Sequence, residues 1–302
     1  AGAPFELGDA SAGDLQPITM VFRMVGIETE PLLRFVRDNP ENFGLGEYPG
    51  LNMTRQQCAD ALYRQGLAKV FLVSDGPLMR EAIAAGDLYK SSMIAVTPVS
   101  RARKEVSLNT TRIGNIDATK TDQLSRALPD LLDQVWNCTA FMKKYVPGFE
   151  NAHFSGLAPR IGIRETRRIL CDYVLSDDDV YQARKKADGV AKGAHEVDVH
   201  GSGTKHLREA VKDGGSYDIP YATLVARTLA NVFVAGRCMS ATRVAHSSAR
   251  VMGTCMAMGQ AAGTAGAMCA SANAWCGDIR DVRVPQLRDV LKAQGAVLDG
   301  TY

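Results

Sequence analysis

Twenty consecutive residues, Val251 to Ala270, carry no charge and are crowded with Gly, Ala and Met. Arg237, Arg243, His246 and Arg250 stand just before them. A run of that length can cross a bilayer, and Gly259-x-x-x-Gly263 has the spacing of helix pairs in membranes. The side chains argue otherwise. After Val251 there is no Leu, Ile or Phe, and Thr254, Gln260 and Thr264 interrupt the run. Ala and Gly gain little from lipid. The segment therefore reads as a buried helix with close neighbours. A glycine inside a helix costs about 1 kcal/mol relative to alanine, so Gly253, Gly259 and Gly263 call for a packing reason.

The rest of the chain suits a globular protein. Its 302 residues are 46% hydrophobic and 23% charged, enough for about two domains with sizeable cores. The net charge is +2 and no Lys/Arg-rich run occurs, which excludes general nucleic-acid binding. The seven cysteines are scattered without a C-x-x-C, which argues against a disulfide framework or a zinc knuckle. A reducing, cytoplasmic setting follows, with no membrane partner. The N-terminus shows neither the basic region nor the apolar region of a signal peptide.

Patterning gives a series of elements. Residues 17–26 suit a strand with Ile18, Met20, Phe22 and Met24 on one face. Helices are expected over Thr29–Asp38, Arg55–Gln65 and Pro77–Ala85, the last opened by a proline at its first position. The loop 39–50 is rich in turn residues. Strands are expected at 68–74, 92–99 and 104–108. Residues 117–145 form a long helical stretch that Pro129 should break. Alternation makes 160–173 a strand. Ser176 caps a short helix that begins with three aspartates. Residues 194–200 and 231–235 are further strands, 212–215 is a turn, and 284–295 is a terminal amphipathic helix.

Candidate chemistry collects late in the chain. The apolar stretch NVFVA ends at Gly236, a polar loop follows, and a helix begins near Arg250. An exposed helix N-terminus there offers unpaired N–H groups to a phosphate, a carboxylate or a ring carbonyl. A tightly packed helix without any ligand explains the same residues. In RIGIRETRR, strand alternation puts Arg164 with Arg168 and Glu165 with Arg167. One pair would bind an anionic or polyhydroxylated substrate, while the Glu165–Arg167 pair braces the fold. A charged, half-exposed strand is the alternative. In HEVDVH, Glu196, Asp198 and His200 share a face, either as an acid–base cluster or as a solvated edge. No metal-ligand spacing supports them, so no metal is expected. His246 suits proton transfer, since imidazole titrates near about 6.5; a hydrogen bond to its own loop is the plainer role. Cys238 is either a thiolate activated by Arg237 or a small buried residue.

The ordered series A-G-R-C-x-S-A-T … A-H-S-S-x-R-V-M-x-T-C-M-A-M-G-Q-A-A-G-T-A resembles the C-terminal signature of FAD-dependent oxidoreductases with a glutathione-reductase-type flavin domain. IGIRETRRILCDYVLSDDDV and the opening AGAPFELG with LQPIT resemble further blocks of the same family, in the same order. The resemblance implies an α/β fold in which an α+β substrate domain (16–215) is inserted in the flavin domain. The flavin domain would keep residues 1–15 and 216–275, followed by a C-terminal helix at 276–302. It implies FAD as cofactor, with Gly236, Arg237, Cys238, Arg250, Val251, Met252 and Gly253 lining it. The reaction would be hydride transfer from a small organic substrate, polyhydroxylated or acidic. His246 would be the base, and Arg164 and His200 would hold the substrate. The dinucleotide fingerprint G-x-G-x-x-G does not occur. The chain thus resembles a member without its N-terminal half-domain, completed by that segment or by a partner chain. A flavin-free interaction module is the alternative. The substrate's identity and the oligomeric state are not encoded in any motif.

Overall fold

The computed structural model describes residues 1–8, 14–44, 53–201, 204–271 and 277–300. Part of the turn-rich loop at 39–50 and the end of the segment placed at 216–275 lie outside them. The fold is mixed α/β and divides into two compact units. One unit joins Ala1–Leu15, Arg164–His200 and Leu207–Tyr302; the other comprises Gln16–Ile163 and Gly201–His206. The stretch 164–200 therefore clusters with the C-terminal residues. The first unit opens with β1 (Phe5–Leu7).

The unit beginning at Gln16 is built on five antiparallel strands. They are β2 (Phe22–Val25), β3 (Val70–Val73), β4 (Met93–Ser100), β5 (Glu105–Asn109) and β6 (His153–Leu157), in the spatial order β3-β4-β5-β2-β6. The expected alternation holds: Ile18, Met20, Phe22 and Met24 are all buried. Phe22 pairs with the buried Leu108 on one side, which sets the register through the core, and with the exposed Leu157 on the other, next to a register shift at Arg23. Helix α1 (Thr29–Asp38) buries Leu32, Leu33 and Val36. Helix α2 (Arg55–Gln65) starts with a capping box between Thr54 and Gln57. Helix α3 (Pro77–Ala85) starts on its proline and ends at Gly86 with φ +80°. Gly148 is required by geometry as well as by conformation: its φ is +90°, and a Cβ there would sit 2.3 Å from the Glu28 carbonyl.

Pro129 does not break the long helix. Helix α4 runs unbroken over Thr121–Tyr145. The physical reason is position: Ser125 and Pro129 lie on its exposed side. The Ser125 carbonyl that loses its partner is therefore left to water, while Leu131, Val135, Cys138, Phe141 and Met142 hold the opposite side in the core. Trp136 is 54% exposed and lies against Phe154, ring centroids 4.8 Å apart. Pro129→Ala restores one helical hydrogen bond without touching the core. It is expected to raise stability by about 1–2 kcal/mol in urea denaturation, with unchanged helical circular dichroism.

The other unit is assembled from short ladders. β7 (Arg167–Ile169) pairs antiparallel with β1, Phe5 opposite Ile169. The expected strand over 160–173 shrinks to these three residues because the chain bends at Thr166. Helix α5 (Asp177–Tyr181) carries the expected Ser176 cap, closed into a capping box by Asp179. β8 (Gly189–Gly193) pairs with β11 (Tyr217–Pro220), and β9 (Val197–His200) with β10 (His206–Glu209). A Cβ on Gly193 would lie 2.3 Å from the Tyr217 ring, so only glycine lets that ring cross the strand. Residues 231–235 make no ladder; Phe233 forms a single bridge with Val225.

Two further helices follow where one was expected. α6 (Arg243–Ala249) occupies most of the supposed polar loop, and α7 (Met252–Ala270) comes after a break at Arg250 and Val251. α7 is not buried all round. Thr254, Met258, Ala261, Ala265 and Cys269 enter the core, whereas Met252 and Met256 are 78% and 68% exposed. The glycines expected to meet close neighbours do not: a Cβ at Gly253, Gly259 or Gly263 would meet nothing within 4 Å. α8 (Val284–Ala293) packs Leu287 and Leu291 into the same core as α7. No helix among the described residues is long and apolar enough to cross a membrane.

Candidate functional site

The loop after residue 235 turns through Gly236, whose φ of +82° is left-handed. Open space lies where its side chain would stand. A single helical turn over Gly236–Cys238 leads to Ala241, and Thr242 caps α6 by accepting the Ala245 N–H at 3.2 Å. α6 buries an unusual set: Ala245, His246, Ser247, Ser248 and Ala249. Buried polar groups must be paired. The Ser247 hydroxyl accepts from the Asp198 N–H at 3.0 Å and donates to the Val244 carbonyl at 2.7 Å. The Ser248 hydroxyl donates to the His195 carbonyl at 2.5 Å and lies 2.7 Å from the Tyr217 hydroxyl. These bonds tie α6 to β9 and β11.

His246 is the exception. It is fully buried, and its Nε2 lies 2.8 Å from the Arg237 carbonyl. A carbonyl only accepts, so Nε2 carries the proton and Nδ1 is left as a bare acceptor. Nδ1 has no partner. Burial pushes the imidazole's pKa down to about 3 against the opposing hydrogen bond to the Arg237 carbonyl, and the charges of Arg250, Arg168 and Arg237 press it lower still. In this setting His246 is a neutral acceptor of hydrogen bonds rather than a ready proton acceptor.

The arginines around it are anchored. Arg168 donates to the carbonyls of Gly8 at 2.8 Å and Ala241 at 3.0 Å, and its guanidinium pairs with the buried Glu165 carboxylate. The Glu165 partner is thus Arg168, not Arg167 as alternation suggested. The bend at Thr166 breaks the two-residue period before β7 begins. Arg167 instead lies over the Phe5 ring at 5.2 Å. Arg250, at the break before α7, donates to the Asp198 carbonyl at 2.9 Å. Asp198 also meets His200, whose Nε2 is 3.0 Å from its carboxylate. Glu196, Asp198 and His200 do share a side of the chain, with Glu196 paired to Arg208. Arg164 is half-buried in the extended segment before β7. It is Arg168 that ties this segment to the loop before α6. Arg237 is exposed, and Cys238 donates its thiol to the Ala235 carbonyl at 3.4 Å. The described cysteines, from Cys58 to Cys269, are all free thiols.

Residues expected together are thus brought together in part. Gly236, Arg237 and Cys238 adjoin His246 through the loop, and Arg250, Val251, Met252 and Gly253 form the start of α7. No side chain caps that start, its first turn holds no acid, and Met252 and Gly253 are exposed. The sequence reading missed Arg168, Tyr217, Ser247 and Ser248 as parts of this arrangement. Only the Ser-Ser pair beside His246 hinted at it.

One family description matches the chain over nearly its whole length: FAD dependent oxidoreductase, across residues 1–291. The chain belongs to this family. No curated protein and no solved structure matches it. Membership indicates FAD as the cofactor and flavin-linked redox chemistry as the activity. The residues present fit that cofactor at three points. Gly236 leaves room for a ligand against its backbone, the uncapped start of α7 presents N–H groups to an electron-rich atom, and the buried Nδ1 of His246 awaits a donor.

Proposed function

We propose that this oxidoreductase oxidises a small organic substrate, acidic or polyhydroxylated, by passing hydride to FAD held at the start of α7. The observation that carries the reading is the combination of an open Gly236, an uncapped α7 and the orphaned His246 Nδ1 within one stretch of chain. When bound, the flavin ring supplies the hydride acceptor. The chain's own groups do the rest. The α7 N–H groups and Arg250 supply positive potential next to the ring, and Arg237 neutralises the pyrophosphate. His246 accepts one hydrogen bond and so orients what it holds. The His200–Asp198 pair, 3.0 Å apart, takes the substrate's hydroxyl proton. Arg164 pairs with the substrate's anionic end.

The reading assigns flavin binding to 216–275 with the glutathione-reductase type of arrangement, and substrate binding to Arg164 and the His200–Asp198 pair in the same compact unit. Since no G-x-G-x-x-G occurs in these residues, the adenosine half is bound by a dinucleotide-binding segment from elsewhere in the protein or from a partner chain.

The test is a visible spectrum of the natural protein, purified with FAD and filtered free of unbound cofactor. A flavin band is expected. Gly236→Val puts a β-branched residue at φ +82° in the cofactor's path and is expected to weaken flavin retention at least about tenfold, with folding intact by circular dichroism. A valine variant that keeps its flavin would exclude this loop as the site.

A further inference from the structure

Two of the free thiols share one small apolar cluster. Cys171 is buried there with Ala226 and Val234, and Cys238 packs against the same cluster from the turn after Gly236. The backbone brings them together. Cys171 donates its N–H to the Ser240 hydroxyl at 3.2 Å, two residues beyond Cys238, and the Gly236–Cys238 turn packs against β7. The thiols themselves are loosely tethered, Cys171 to the Ile169 carbonyl at 3.8 Å and Cys238 to the Ala235 carbonyl at 3.4 Å. An S–H group is a weak donor, so little opposes a change of partner.

Cys138 shows how a thiol that serves only packing differs. It is buried in the core of the other unit, and burial alone raises its pKa. Burial also pushes the Cys171 thiol up, to about 12, but the charges of Asp172 and of Cys238 press the same way. The two sulfurs are therefore close enough to repel when charged. Access to them is one-sided. Cys171 is 0% exposed, whereas Cys238 is half-buried, beside the exposed Arg237 and the open space at Gly236. A small oxidant meets Cys238 first.

We propose that Cys238 and Cys171 form a reversible disulfide when the protein meets hydrogen peroxide. The Cys238 thiolate attacks the peroxide: an S–O bond forms, the O–O bond breaks, and hydroxide leaves to become water. Cys171 gives up its proton and attacks the resulting sulfenic acid. The S–S bond forms, the S–O bond breaks, and a second water leaves. Two electrons pass from the two sulfurs to the peroxide. The bridge ties the turn that carries Gly236 to the segment after β7, next to the hold that Arg168 has on Ala241. Its consequence for flavin binding rests on the function proposed above; the bridge itself does not.

The test uses the full chain, reduced, treated with stoichiometric hydrogen peroxide, blocked with iodoacetamide and digested with trypsin without reductant. The expected product is a crosslinked pair of peptides, 169–184 with 238–243, lighter than their sum by two hydrogens and released by dithiothreitol. Cys171→Ala is expected to stop at the Cys238 sulfenic acid, which dimedone traps. Cys238→Ala is expected to slow oxidation of Cys171 at least about tenfold. The oxidised native chain should melt several degrees higher than the reduced one, and neither variant should gain on oxidation. Melts of the reduced variants check that they fold. No crosslink in the native chain, or a Cys238 sulfenic acid that never closes, would overturn the proposal. So would a crosslink from Cys238 to Cys255, whose thiol now donates to the Arg250 carbonyl at 3.2 Å.

Discussion

Arg168→Met is expected to destabilise the protein by about 3–5 kcal/mol, because it removes one half of a buried ion pair and leaves the other half in place. The side chains of Arg168 and Glu165 are 4% and 0% exposed. Methionine fills much of the volume but donates nothing, so the Gly8 and Ala241 carbonyls lose their donor along with the carboxylate. Those two carbonyls lie on the N-terminal segment after β1 and on the loop before α6. The arginine therefore holds three distant stretches of one unit together. Glu165→Gln should cost less, about 1–3 kcal/mol, since the amide oxygen still accepts and Arg168 keeps its carbonyl partners. Urea denaturation at neutral pH measures both. A cost for Arg168→Met below about 1 kcal/mol, or a larger cost for Glu165→Gln, would mean the pair is not the anchor described.

This anchor was invisible to strand alternation, and the failure is instructive. Periodicity reports a face only while the backbone stays regular. The bend at Thr166 resets the count, so Arg168 takes the bracing role expected of Arg167, which packs on Phe5 instead. Where the signal was local and chemical, it sufficed. Thr54 with Gln57, Pro77 and Ser176 set helix starts that need no tertiary knowledge. Pro129 was misjudged because its effect depends on which side of α4 faces water, and that is settled by packing. α6 was missed for a different reason. Its buried residues include His246, Ser247 and Ser248, so hydrophobic patterning registers a polar loop. The candidate site shows the same division. Its contiguous part, from Gly236 to Gly253, was legible as one motif. Its long-range part, Arg168 on Ala241 and Arg250 on Asp198, depends on contacts between residues 73 and 52 positions apart. Residues 251–270 were legible as a helix but not as one with an open glycine side. Small residues permit close approach without saying what approaches.

The buried imidazole should make the protein acid-sensitive in a defined window. Unfolded, His246 protonates below its ordinary 6.5; folded, it stays neutral down to about 3. Between those values the unfolded chain binds the extra proton, so stability falls as pH falls and levels off below about 3. Above 6.5 neither form is charged and the contribution is flat. Each unit of pH inside the window is worth about 1.4 kcal/mol, hence about 2 kcal/mol by pH 5 and roughly 5 across the whole span. His246→Gln keeps a donor for the Arg237 carbonyl but has no titrating group. The packing cost of that substitution is the same at every pH, so it shifts the curve without bending it. Urea denaturation at about pH 7.5 and about pH 5 should therefore show the native protein losing about 2 kcal/mol more than the variant. Parallel losses in the two proteins would mean that His246 is protonated in the folded state. The orphaned Nδ1 would then be a donor rather than an acceptor, and the orienting role assigned to it in flavin or substrate binding would have to be reversed.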